Sequence, residues 1–161
     1  MGLSREKTTF ILTIVIMFVV IPVLPTTVNA VGSNEIADFV GEVYQVYMAK
    51  DFAAVYKYLH PDIKGIMSDE DYINFQEETS NKHKMSISQV QVKGVKSLDK
   101  IPGEFEEYLS KTDEQDYYSV SISYLLSYYL GKEREREVEK DVYLCLEGDN
   151  LYLLWDPAVV E

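Results

Sequence analysis

Tyr118-Ser-Val-Ser-Ile-Ser-Tyr-Leu-Leu-Ser-Tyr128 is the stretch that decides the fold. Tyr118, Val120, Ile122, Tyr124, Leu126 and Tyr128 alternate with Ser119, Ser121, Ser123, Leu125 and Ser127. Only a strand has that period, because successive side chains point to opposite faces of a sheet. One face is therefore oily and the other mostly serine. A strand with one apolar face calls for antiparallel neighbours and a covering layer on that face. Downstream, Gly131-Lys132 turns the chain. Val138, Val142, Leu144 and Leu146 then alternate against Glu137, Glu139, Asp141 and Tyr143. Glu147-Gly-Asp-Asn150 has the composition of a hairpin turn. Leu151-Tyr-Leu-Leu-Trp155 makes a last strand, which Asp156-Pro157 stops. Upstream, Met85, Ile87 and Gln89 share one phase while Val90 and Val92 take the other, which predicts a bulge. Residues 99–115 read as irregular. Ile101-Pro-Gly103 breaks the chain, and Phe105, Tyr108 and Leu109 suit one helical turn.

The covering layer comes from the segment before the strands. Ser33 or Asn34 is placed to cap a helix, with Glu35 in its first turn. Ile36, Phe39, Val40, Val43, Tyr44 and Tyr47 recur at helical spacing and form its apolar face. Asp51 caps a second, shorter helix whose apolar face is Phe52, Val55, Tyr56 and Leu59. His60-Pro61 ends it, because the residue before proline is pushed away from helical angles. Ser68 starts a third helix that runs to about Thr79, with Asp71 three residues on in a weakened capping box. Three N-terminal helices followed by an antiparallel meander of about four strands predict an α+β fold, the helices packed on one face of a curved sheet.

Ahead of all this stands a leader. Arg5 and Lys7 form a basic head, Phe10 to Ile21 is almost unbroken apolar sequence, and Val28-Asn29-Ala30 ends in a small residue. That pattern is a secretory signal over residues 1–30, leaving residues 31–161 as one domain outside the cytoplasm. A spanning helix needs about 20 apolar residues. Phe10 to Leu24 is shorter than that and contains Pro22, so cleavage is expected over retention. An uncleaved leader would be the chain's one route to a membrane.

The leader holds two of the 15 basic and one of the 27 acidic residues, which leaves 13 and 26 and a net charge of −13. Nucleic acid and anionic membrane surfaces would be repelled, which excludes both as partners. The single cysteine, Cys145, excludes an internal disulfide and a lipid-modified cysteine behind the leader. Its place between Leu144 and Leu146 makes it a packing residue of a strand. His60 and His83 are the only histidines and have no metal-ligand spacing, so neither metal nor cofactor is expected.

Thirteen tyrosines are the other marked feature. Tyr117, Tyr118, Tyr124, Tyr128 and Tyr129 fall on one strand. An aromatic-lined hollow would hold a small apolar or sugar-like ligand, with hydroxyls fixing its orientation. Tyr56, Tyr118, Tyr124, Tyr128 and Trp155 are the binding candidates, against the plainer alternative that tyrosines pack the sheet. An enzyme would need a base in that hollow. His60, Asp62, Lys140 and Asp141 are the only ionisable groups to nominate. His60 at a helix end is also what a simple end cap would be. Lys140 falls on the apolar phase between Val138 and Val142; it either pairs inward with a carboxylate or snorkels, and snorkelling is favoured. Glu133-Arg-Glu-Arg-Glu-Val-Glu-Lys-Asp141 puts acids on one strand face and Arg134, Arg136 and Lys140 on the other. That reads as a solvated face that discourages edge pairing. Ser97-Leu-Asp-Lys100 matches the Ser-x-x-Lys of penicillin-interacting enzymes, and Lys111-Thr-Asp113 nearly matches their Lys-Thr-Gly. The serine should open a buried helix, but here it ends a strand, so chance explains the match.

Three segments carry a family resemblance: the helix from Ile36 to Tyr47, Lys50-Asp-Phe-Ala-Ala-Val-Tyr-Lys-Tyr-Leu-His-Pro61, and Leu151-Tyr-Leu-Leu-Trp-Asp-Pro157. In these the chain resembles the nuclear-transport-factor-2-like superfamily, whose curved sheet wraps around helices to make a cone. With Ile66-Met-Ser-Asp-Glu-Asp-Tyr-Ile-Asn-Phe75, the closing strand also resembles the small N-terminal domain of Gram-positive penicillin-binding proteins and stand-alone exported domains of that type. The resemblance spans about residues 33–158 and implies the fold more than an activity. The expectation is an exported, non-enzymatic domain at the envelope of a Gram-positive bacterium, binding a small ligand or an envelope protein. Two alternatives stay open: a cofactor-free isomerase or cyclase using an Asp or His in the cone, and a module that assembles with itself, as a homodimer through the sheet face.

Overall fold

The computed structural model describes residues 32–112 and 114–160. The leader lies outside the described residues. The fold is α+β, with the helices before the sheet: α1 (Ser33–Met48), α2 (Phe52–Lys57), α3 (Pro61–Ile66) and α4 (Asp69–Lys82), then β1 (Ser86–Leu98), β2 (Gln115–Tyr129), β3 (Glu133–Glu147) and β4 (Asn150–Leu154). All strand pairs are antiparallel and the order is β1-β2-β3-β4, a meander.

The alternation expected of Tyr118 to Tyr128 organises the sheet. Val120, Ile122 and Leu126 on β2 pair with Val142, Lys140 and Arg136 on β3 and share one face. Val120, Ile122 and Leu144 are fully buried there, together with Ile36, Val40 and Val43 of α1 and Val55 of α2. Each such side chain stabilises the fold by about 2 kcal/mol. The bulge expected on β1 is present. Gln89 has φ 55°, and the register slips between Ser88 and Gln91 and again between Val92 and Gly94. The two slips bring Ile87, Val92 and Val95 opposite Leu126, Ile122 and Val120, all on the apolar side.

The helix ends differ from expectation in two places. Ser33 is the first helical residue and Gly32 is the cap; the Gly32 N–H donates to the Glu35 carboxylate at 2.9 Å. A fourth helix, α3, begins at the very proline expected only to end α2. His60 is its cap and Pro61 its first residue, where the missing N–H costs nothing. The other caps follow the sequence reading. The Asp51 carboxylate accepts the Ala54 N–H at 3.0 Å, and Ser68 Oγ accepts the Asp71 N–H at 3.1 Å.

Tyr58–His60 closes the free edge of β4. His60 N–H donates to the Leu153 carbonyl at 3.1 Å and Leu153 N–H to the Tyr58 carbonyl at 2.7 Å, forming one parallel bridge between Leu59 and Leu153. The serine face is also more covered than expected. Ser119 and Ser123 are buried, Ser119 between Lys96 of β1 and Tyr143 of β3, and Ser123 between Gln91 and Glu139. Phe105, from the short 3-10 turn Gly103–Phe105, stacks edge-on against Tyr143 at 5.8 Å. Asp62 Oδ2 accepts the Ser110 N–H at 2.7 Å, tying α3 to the same loop.

Candidate functional site

Because β4 pairs only with residues 143–147 of β3, the helix-facing side of the sheet is left without a strand beside residues 140–142. A cavity of about 290 Å3 opens there. Its deep wall is apolar: Val43 from α1, Val55 from α2, Leu126 from β2, Val142 from β3, and Leu153 and Leu154 from β4. All six are buried. Aromatic rings stand beside it. Tyr44 and Tyr47 come from α1, Tyr72 from α4, Tyr124 from β2, and Trp155 from the residue after β4. Helical spacing of three places Tyr44 and Tyr47 on one face of α1, and strand alternation points Tyr124 at them. Tyr44 stands 6.4 Å from Tyr124 between ring centroids, and Tyr72 meets Trp155 edge-on at 5.1 Å.

The polar groups of the cavity are few. The Tyr47 hydroxyl donates to Gln76 Oε1 at 2.9 Å, and Gln76 is itself buried. Burial, with the neighbouring Tyr44 and Tyr124, pushes the Tyr47 phenol up to about 12. Burial likewise raises Tyr44 and Tyr72. These phenols are neutral hydrogen-bonding groups at ordinary pH. Glu104, Lys140, Asp141 and Asp156 complete the rim, with Phe105 beside Glu104. Lys140 sits on the helix-facing side of β3 and is exposed. Its ammonium lies over the rings of Tyr44 and Tyr124, 5.7 and 5.9 Å from their centroids. No carboxylate among the described residues is within ion-pair distance of it. Asp141 Oδ1 instead accepts the Ser121 hydroxyl hydrogen at 2.6 Å.

Of the residues nominated from sequence, Tyr124, Trp155, Lys140 and Asp141 come together at this cavity. The others lie elsewhere. Tyr118 is buried opposite Leu144. Tyr56 donates its hydroxyl to the Met67 carbonyl at 2.8 Å and packs on Tyr72. Tyr128 lies further along β2, near His83 and Leu130. His60 and Asp62 sit at the β4 edge, toward the loop that holds Ser110. Tyr44, Tyr47, Tyr72 and Gln76 line the cavity without having been nominated. Tyr44 and Tyr47 were legible as core-facing helix positions, but periodicity does not distinguish a filled core from a hollow one.

His60 forms a second polar centre. It is 2 % exposed and its ring meets Tyr152 edge-on at 5.4 Å. Nδ1 accepts the Asp62 N–H at 3.2 Å, so the neutral ring carries its proton on Nε2. Nε2 has no hydrogen-bond partner, and the nearest carboxylate oxygen in ion-pair range is Glu147 Oε2 at 3.9 Å. Burial lowers the imidazole pKa, and Asp62 and Glu147 oppose that only in part. Cys145 is fully buried on β3 and its thiol is pushed up to about 12 by burial, the reverse of what a reactive thiolate needs. Among the described residues no cluster of three or more His, Cys, Asp and Glu side chains could hold a metal ion. No protein-family model matches this chain, and no curated protein matches it in sequence.

Proposed function

We propose that this chain is an exported, non-enzymatic ligand-binding domain that acts at the cell envelope. The observation that carries the reading is the cavity of about 290 Å3, apolar at its base and walled by Tyr44, Tyr47, Tyr72, Tyr124 and Trp155. Concave apolar sites with few polar groups are what small-molecule binding uses. Five aromatic side chains offer flat apolar faces, and the Gln76–Tyr47 pair offers a fixed polar point. Export rests on the basic and apolar leader, and the envelope setting on the resemblance to the nuclear-transport-factor-2-like domains of Gram-positive penicillin-binding proteins. The isomerase alternative requires a carboxylate or imidazole against a phenol inside the cavity. The nominated His60 and Asp62 belong to the β4 edge, Asp141 lines the cavity but bonds the Ser121 hydroxyl and no phenol, and the Tyr47 phenol is engaged by an amide, so binding is the better supported of the two.

Thermal-shift screening against small neutral aromatics, sugars and muropeptides tests the reading. A ligand-dependent rise in melting temperature in the protein, lost when Val43→Phe fills the base of the cavity, is the expected result. A rise that persists in Val43→Phe, with the variant folded, places binding elsewhere and refutes the cavity as the site.

A further inference from the structure

We infer that the cavity takes an organic cation, an ammonium group on an apolar or aromatic body, and that Lys140 is its internal competitor. The inference rests on the cavity being a ligand site. Tyr44 and Tyr124 stand 6.4 Å apart and are tilted by 33°, and one ammonium, that of Lys140, lies over both rings. Aromatic faces attract cations through their quadrupoles. The lysine therefore marks a position at which this aromatic wall accepts positive charge.

Charge at the rim points the same way. Glu104, Asp141 and Asp156 line the cavity, and Lys140 is the one cation among its lining residues. The whole chain carries a net charge of −12. An anion entering here would meet the Glu104 and Asp156 carboxylates, and a cation would be drawn toward them, while Asp141 at the strand edge turns its carboxylate to Ser121. Lys140 itself is weakly held. It is exposed, no carboxylate pairs with it among the described residues, and its flexible stem can carry the head out to water. A ligand ammonium can then take its place over Tyr44 and Tyr124 while the ligand's apolar body reaches toward Trp155 and Leu154.

Lys140 in this role opposes the cation, which gives an unusual sign to test. Isothermal titration calorimetry would compare three size-matched probes: benzyltrimethylammonium, its neutral carbon isostere neopentylbenzene, and benzylsulfonate. The expected order is cation tightest and anion weakest. Lys140→Met should tighten the cation about three- to tenfold and leave the neutral probe nearly unchanged. Glu104→Gln, at an exposed side chain, should weaken the cation and spare the neutral probe. Benzylsulfonate binding most tightly, with loss of that binding in Lys140→Met, would overturn the inference while keeping the ligand site. A cation no tighter than the neutral isostere would overturn it too. Binding of none of the three overturns the ligand-site reading and the inference with it.

Discussion

At the scale of single residues, His60 is a buried polar side chain held from several sides. It caps α3, accepts the Asp62 N–H, and gives its backbone N–H to β4, yet its Nε2–H has no partner. A buried imidazole of this kind resists protonation. Its pKa in the fold is lowered from the ordinary 6.5, so the unfolded chain takes up the proton first as pH falls. Its contribution to stability is thus complete above 6.5 and is lost as pH drops from there toward the lowered value. Urea unfolding measured from neutral to mildly acidic pH should show stability falling across that window. His60→Gln should flatten that part of the slope, and an unchanged slope in the variant would assign it to other groups. The Asp51 cap makes a second, simpler case. Its carboxylate holds the Ala54 N–H at 3.0 Å, so Asp51→Ala should cost about 1 kcal/mol in the same measurement.

At the scale of elements, the junction between helices and sheet is Leu59, fully buried and bridged to Leu153. Truncating it leaves a void where, among the described residues, the helical segment joins the sheet through a strand-like bridge. Leu59→Ala should therefore destabilise the domain by about 2–5 kcal/mol, read as a drop in the denaturant midpoint. The strands were legible in sequence because their signal is local. The serine alternation of β2, the Gly148 turn with φ 59°, and the phase change of β1 at Gln89 each report their own geometry. The short helix α3 was not legible, because Pro61 serves equally as the end of one helix and the first residue of the next. Its true signal was the pair His60-Pro61 followed by Asp62, a cap, an N1 proline and a first-turn acid. The burial of Ser119 and Ser123 was not legible either, since it depends on cross-strand neighbours far away in sequence.

At the scale of the whole molecule, the cavity exists because two lengths do not match. β3 runs the full height of β2, but β4 stops after pairing with residues 143–147, and α1 and α4 span the gap with tyrosines. Pattern reading located Tyr124, Trp155, Lys140 and Asp141 as candidates without knowing that they meet. The same reading nominated Tyr56 and Tyr118, which are consumed by packing against Tyr72 and opposite Leu144. Residue type and face were available from sequence; the distance between faces was not. Trp155 is the only tryptophan of the chain and lies in the cavity wall, so the molecule carries its own reporter. Its fluorescence, titrated with a neutral aromatic probe such as neopentylbenzene, tests the hollow directly. A saturable change in Trp155 emission that disappears in a folded Val43→Phe variant is the expected result. No saturable change, or the same change in both proteins, would contradict it.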